Sequence, residues 1–160
     1  MDTQDVSAFL RAIKGDEYEL PLFVALFTGL RQGELLGLTW DCVDFEKGTL
    51  LINKQHNRAK GEKEFHFSPL KNSRPRCLTA ASAVMDALKE QQRRQAQWAT
   101  ELGSAWDNSE NLVFTTQMGT LYQQQNYLDE FQTNRNGAWN AGTSVPRSAA
   151  HLFNQQPAGR

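Results

Sequence analysis

Arg31 and Glu34 are the first pair in this 160-residue chain whose types and spacing could do chemistry. They stand in the string Thr28-Gly-Leu-Arg-Gln-Gly-Glu-Leu-Leu-Gly-Leu-Thr-Trp40. On a helix, residues three apart share a face, so the carboxylate can orient the guanidinium. Gly29 suits a turn with positive φ where one helix stops and the next begins. Leu30, Leu35, Leu36 and Leu38 can bury the opposite side. A guanidinium held this way suits a phosphate, because its planar fork of donors matches two phosphate oxygens. An ordinary solvated surface pair has the same spacing, and the spacing alone does not separate the two readings.

A second set of cations follows. Residues 1–50 carry nine acids against four bases, whereas residues 51–80 carry seven bases (Lys54, Arg58, Lys60, Lys63, Lys71, Arg74, Arg76) against Glu62 and Glu64. The formal net charge of −1 does not announce a nucleic-acid binder. A local basic stripe can nevertheless grip phosphates, with binding that weakens as salt rises. A solvated hairpin would show the same stripe. The two cysteines, Cys42 and Cys77, have no metal-type spacing and read as reduced, buried thiols. No apolar run reaches the length of a membrane span and the first residues show no signal-peptide pattern, so a cytoplasmic protein is expected.

The elements that must position these residues change period along the chain. Asp2 to Asp5 offer cap side chains, and Val6, Phe9, Leu10 and Ile13 then recur at helical spacing up to Gly15. A second helix is expected from about Tyr18 to Gly29, with Pro21 in its first turn, and a third from Arg31 to just before Trp40. Asp41 to Asp44 read as a turn. Three strands are expected next, at Thr49–Lys54, Glu64–Phe67 and Arg74–Thr79, joined as an antiparallel meander. From Ala80 a long amphipathic helix carries Val84, Ala87, Leu88, Gln91 and Gln95 towards Leu102. Leu112–Thr115 reads as extended, and 121–131 as a further helix. Residues 132–160, rich in Gly, Asn, Gln, Ala and Ser, read as a disordered tail.

TGLRQGELLGLTWDCVDF resembles the first active-site box of the tyrosine recombinases, the integrases of phages and conjugative elements. Pro69-Leu-Lys-Asn-Ser-Arg-Pro-Arg-Cys-Leu78 is similar to the family's lysine-bearing hairpin string, forty residues after Arg31. Asn111-Leu-Val-Phe-Thr-Thr, with Gly119 and the segment to Phe131, resembles a further box, so the likeness covers roughly residues 5–131. It implies an α+β, mostly helical fold: integrase catalytic-domain helices around a small three-stranded antiparallel sheet, incomplete at the C-terminus. The implied function is site-specific recombination of double-stranded DNA, integrating or excising a mobile element through a phosphotyrosine intermediate, with no metal or cofactor. In that scheme Arg31 clamps the phosphate, Glu34 orients it, and Lys71 protonates the leaving oxygen as a general acid. Arg58, Lys60, Lys63, Arg74 and Arg76 are the expected DNA-facing cations.

The family's second arginine box (H-[DT]-L-R-H), its L-G-H box and its tyrosine nucleophile have no counterpart here. Tyr18, Tyr122 and Tyr127 precede the place where those boxes would stand and read as packing residues, so residues 1–160 alone are expected not to cut DNA. The codons of Val145 to Gly159, read from the second base, permit FHDLRHTYSTSSLQA, a typical second-arginine box at the expected distance after Phe131. The expectation is a shift of reading frame close after Phe131, with 1–131 as the N-terminal part of a catalytic domain and 132–160 outside the family. Arm-binding and core-binding domains, usual ahead of such a catalytic domain, are expected to be missing. Two further readings are a non-catalytic fragment that binds duplex DNA or the protomers of an intact recombinase, and an inert degraded gene product.

Overall fold

A computed structural model of the chain describes residues 3–57, 66–70 and 74–122. Arg58, Lys60, Lys63 and Lys71, the helix expected over 121–131 beyond Tyr122, and the 132–160 tail lie outside the described residues. The chain divides into two compact units, Met1–Arg31 with Gln123–Arg160, and Gln32–Tyr122.

In the first unit, α1 (Thr3–Ala12) and α2 (Glu19–Thr28) form where the apolar period places them. The Asp16 carboxylate accepts from the Tyr18 amide at 2.7 Å, and the Gly15 amide donates to Glu19 Oε2 at 2.8 Å, so acids satisfy donors around the start of α2. Pro21 sits in the first turn of α2, where an amide would have no helical acceptor. The helix ends at Gly29, whose φ of 66° is left-handed and whose amide closes on Ala25 O at 2.9 Å. A residue with a Cβ strains in that conformation, so the glycine expected from sequence is required by the backbone.

The second unit opens with α3 (Gln32–Leu36), a helix of five residues, all of them buried. It is shorter than the leucine spacing suggests. The chain leaves helical geometry at Gly37, extends through Thr39, and makes a 3-10 turn over Trp40–Cys42. The strands β1 (Val43–Asp44), β2 (Thr49–Ile52), β3 (Lys54–Asn57), β4 (His66–Pro69) and β5 (Arg76–Thr79) follow.

The small antiparallel sheet is present, but the meander is not. β2 lies between β1 and β5 in a three-stranded sheet, while β3 and β4 pair separately as a two-stranded ladder. The run expected as one strand breaks at Asn53, and each half takes its own partner. Leu50 faces Leu78 and Ile52 faces Arg76 on the first side, whereas His56 faces Phe67 on the second. The third strand of the sheet is therefore Val43–Asp44, a segment expected as a turn.

Leu50 and Ile52 are buried while Leu51 between them is exposed, as alternation along β2 requires. β5 alternates in the same way, with Arg76 and Leu78 turned towards the inner face and Cys77 and Thr79 towards the outer. Cys77 is thus exposed, which corrects the expectation that both thiols are buried; Cys42 is buried.

The long helix α4 (Ser82–Leu102) buries Val84, Met85, Leu88, Gln91 and Gln95 along one stripe. Leu112–Thr115, expected as an extended piece, is buried but bends at Val113 and Phe114 between isolated bridges at Leu112 and Thr115: Leu112 bridges Thr39, Thr115 bridges Leu121, and the Val113 amide donates to Leu38 O at 2.9 Å. The side chain of Asn108 organises the turn before it, accepting from the Leu112 amide at 2.8 Å and donating to its carbonyl at 2.9 Å. That two-way bond imitates a strand neighbour and satisfies both backbone groups of Leu112.

Candidate phosphate-clamp and lysine-loop site

Arg31 follows the left-handed turn at Gly29 and immediately precedes α3, and its side chain is exposed. Leu30, Leu35, Leu36 and Leu38 are all buried, as the spacing around it requires. Buried leucines thus stand on either side of an exposed arginine in the chain.

Glu34 is 1% exposed and carries a bidentate ion pair that the sequence reading did not include. Its Oε1 and Oε2 accept from the two terminal nitrogens of Arg76 at 2.9 and 2.8 Å. The bond to Glu34, more than any other cause, raises the pKa of Arg76 above its already high value. Two parallel donors on two oxygens are the strongest arrangement these groups can make, and they let a carboxylate stand in an apolar surrounding. Arg76, grouped on sequence with the DNA-facing cations, has both terminal nitrogens committed here. Its side chain is still 40% exposed.

A signal for this pair exists in the sequence. Arg76 alternates with Cys77 and shares the face of Leu78, so a strand reading puts a cation on the apolar side of the sheet. Such a cation calls for a buried acid, and Glu34, flanked by buried leucines, is the acid available. Arg74, by contrast, is exposed ahead of β5.

Gly37 is the second feature that spacing did not single out. A Cβ built there would lie 2.9 Å from Gly33 O, 2.9 Å from His56 N and 3.1 Å from Gln55 C. The end of α3 therefore meets the backbone of β3 with no side chain between them. β3 is in turn tied to β4 by the Lys54–Pro69, Gln55–Ser68, His56–Phe67 and Asn57–His66 pairs. The His56 ring meets the Phe67 ring edge-on at 5.4 Å, and Lys54 Nζ lies 5.1 Å from the centre of the same ring.

Tyr122 is buried, which is consistent with a packing role. Among the described residues, no cluster of three His, Cys, Asp or Glu side chains could hold a metal ion. No described helix is long and apolar enough to cross a membrane.

Comparison with known proteins agrees with this architecture. The chain is 31% identical over 140 residues to a tyrosine recombinase XerC-like protein of Caldanaerobacter subterraneus subsp. tengcongensis, an alignment covering 81% of this chain and 36% of that protein. It is 36% identical over 88 residues to the prophage integrase IntR of Escherichia coli K12, covering 54% of this chain and 20% of that one. The fold is similar to that of the Tn1549 transposon integrase solved in complex with transposon right-end DNA, with a TM-score of 0.72 at 21% identity over 95% of this chain and 49% of that one. The XerH site-specific recombinase bound to its difH substrate in a post-cleavage complex gives a TM-score of 0.55 at 19% identity, over 96% and 39% of the two chains. The chain thus spans about a third or less of the curated relatives it matches and about half of the similar integrase structure. The phage integrase family model matches residues 1–151, and the chain belongs to that family, with the fold of a tyrosine recombinase catalytic domain.

Proposed function

We propose that this chain supplies the first arginine and the lysine of a tyrosine recombinase active site and acts on double-stranded DNA. The observation that carries the reading is the turn at Gly29, which delivers an exposed Arg31 to the start of α3 while every leucine around it is buried. Arg31 is the phosphate clamp. Lys71 is the general acid for the leaving oxygen, and Arg58, Lys60, Lys63 and Arg74 add backbone contacts. Relatives solved with DNA support the substrate class, since the Tn1549 integrase and XerH structures hold transposon-end DNA and a recombination-site substrate. The complete reaction is site-specific recombination by strand cleavage and rejoining through a phosphotyrosine.

Anisotropy of a labelled duplex titrated with the chain at several salt concentrations tests this. Binding that weakens steeply with salt, and weakens further on Arg31→Ala, is the expected result. Affinity indifferent to salt and to Arg31 would remove the DNA reading.

The second-arginine box permitted by the offset codons of Val145 to Gly159 favours an out-of-frame C-terminal segment. The nucleotide sequence from codon 128 onward decides it. A continuing offset frame that reaches an L-G-H box and a tyrosine supports a shifted gene, and codons for Val145 to Gly159 that do not spell the box end the idea.

A further inference from the structure

Residues 107–121 fold back on themselves around a cavity of about 200 Å³, whose lining includes Asp107, Ser109, Glu110, Leu112, Gly119 and Leu121. That volume suits one long side chain, since small-molecule sites run from about 300 Å³ upward. The walls are held from within the segment. The Asp107 amide donates to Met118 O at 3.0 Å, and the Thr116 amide donates to Thr120 O at 2.8 Å. Gly119 has a φ of 83° and passes so close to Asp107 that a Cβ would lie 2.6 Å from its carbonyl oxygen. Asn108 holds the Leu112 backbone with both ends of its amide. A cavity built this way needs little ordering when it is filled.

The charge around it has one sign. Between Arg94 and Arg135 the sequence has no Lys, Arg or His, and it carries Glu101, Asp107, Glu110, Asp129 and Glu130. Asp107 and Glu110 are exposed, and neither has an ion-pair partner among the described residues. Leu112 and Leu121 make the lining partly apolar, and Met118, beside Gly119, is 46% exposed.

We propose that this cavity is a docking site for a protein partner and takes one arginine or lysine side chain. The aliphatic stem lies on Leu112 and Leu121, and the cationic head lies between Asp107 and Glu110. Long cationic side chains bury their stems on apolar surface in this way while the head keeps polar company. Met118 adds an adaptable apolar rim. Two carboxylates repel a phosphate, so the cavity does not serve the DNA contact proposed above. The chain's own bases are concentrated in residues 51–80, where that contact uses them. The choice of another protein over a second copy rests on that reading.

Titration of the isotope-labelled full chain, followed by NMR, tests the proposal with acetyl-arginine methylamide, acetyl-lysine methylamide and acetyl-norleucine methylamide. The cationic probes should move the amide signals of 107–112 and 119–121. The norleucine probe keeps the stem without the charge and should bind about fivefold more weakly. Asp107→Asn combined with Glu110→Gln should weaken the cationic probes by about the same factor and leave the norleucine probe unchanged. Both replacements keep the size and an accepting oxygen, so the bond from the Ser109 amide to residue 107 survives. Absence of shifts at those residues overturns the proposal. A norleucine probe that binds as well as the cationic ones overturns it too, because the cleft would then read only apolar surface.

Sedimentation of the full chain by itself separates the occupants. A monomer is expected. A dimer that the double variant disperses would make the occupant a second copy and overturn the assignment to a different protein. The probe titration contains no DNA, so a failure of the DNA reading and a failure of this inference are seen separately.

Discussion

Trp40 Nε1 donates to Gln95 Oε1 at 2.8 Å, joining the 3-10 turn after α3 to the middle of α4. The amide of the same glutamine donates to Leu112 O at 3.1 Å, Val113 O at 3.0 Å and Thr115 Oγ1 at 3.0 Å. One 5%-exposed side chain therefore ties three segments that are distant in sequence. Two amide hydrogens are shared among three acceptors, so both donors of the group are in use, and its oxygen accepts from Trp40.

Replacing Gln95 by leucine keeps the volume and removes all four bonds. The Val113 carbonyl and the Thr115 hydroxyl would lose a donor in a buried place, and unmade buried bonds cost more than made ones contribute. The expected loss is about 2–3 kcal/mol of unfolding free energy, or roughly 5–10 °C in Tm for a chain of this size. Urea unfolding followed by tryptophan fluorescence measures it. A change below about 0.5 kcal/mol would show that the network is incidental.

Gly29 and Gly37 make contrasting predictions from the same substitution. At Gly29 the φ is 66° and a Cβ would meet nothing within 4 Å, so alanine pays only for the left-handed backbone, about 1–2 kcal/mol. Gly37 is the reverse case, with space as the problem: three backbone atoms of Gly33, Gln55 and His56 lie within 3.1 Å of the added carbon. None of them is the movable end of a side chain. Gly37→Ala should force α3 and β3 apart, cost about 2–3 kcal/mol, and speed amide exchange in β3 and β4. Thermal scans and exchange on the two variants together check the contrast; equal, small effects would refute it.

The difference between those glycines also shows how much of the molecule was readable in advance. Gly29, the buried leucines of α3 and the stripe on α4 are local facts: a turn type, a period, a cap. They follow from residues within a turn or two of one another. What Gly37 does depends on β3 arriving from eighteen residues away, and what Arg76 does depends on Glu34, 42 residues earlier. Strand partners are chosen the same way. Asn53 separates two stretches of similar character, and nothing within them says that one takes β5 and the other β4. Cys77 was misplaced because cysteine is usually a buried residue, and the alternation of β5, which puts Leu78 inside, decides otherwise. The ion pair was within reach, since it needed only that alternation applied to Arg76.

On the solvent side of α4, Glu90 accepts from Arg93 at 2.8 and 2.7 Å and from Arg94 at 3.3 Å. Arg93 chiefly, and Arg94 after it, hold the Glu90 carboxyl down from 4.5 to about 2. A carboxyl whose pKa is lower when folded contributes stability above its unfolded value. That contribution is lost as pH falls from 4.5 towards about 2. The side chain is 37% exposed, so solvent screening leaves the pairs worth about 0.5 kcal/mol in all. Glu90→Gln should therefore lower stability by about that amount near neutral pH, with the difference closing at acid pH and at about 1 M salt. Parallel urea titrations of the two proteins across that pH range would reveal a deficit that persists in acid, and such a deficit would assign the effect to helix propensity instead of charge.

Arg31 is exposed and its neighbours Leu30 and Gln32 are buried, so its substitution tests function with little disturbance of the core. Arg31→Ala should shift unfolding free energy by no more than about 0.5 kcal/mol, the usual range for a surface site. The same change removes one cation from the proposed phosphate contact. The slope of log affinity against log salt for duplex binding should then fall by about 0.9, the counterion release expected for one phosphate. Arg31→Lys should recover the slope and only part of the affinity, because an ammonium keeps the charge and loses the fork. A stable Arg31→Ala protein with unchanged slope and affinity would place the phosphate contact elsewhere on the chain, with the exposed Arg74 as the next residue to remove.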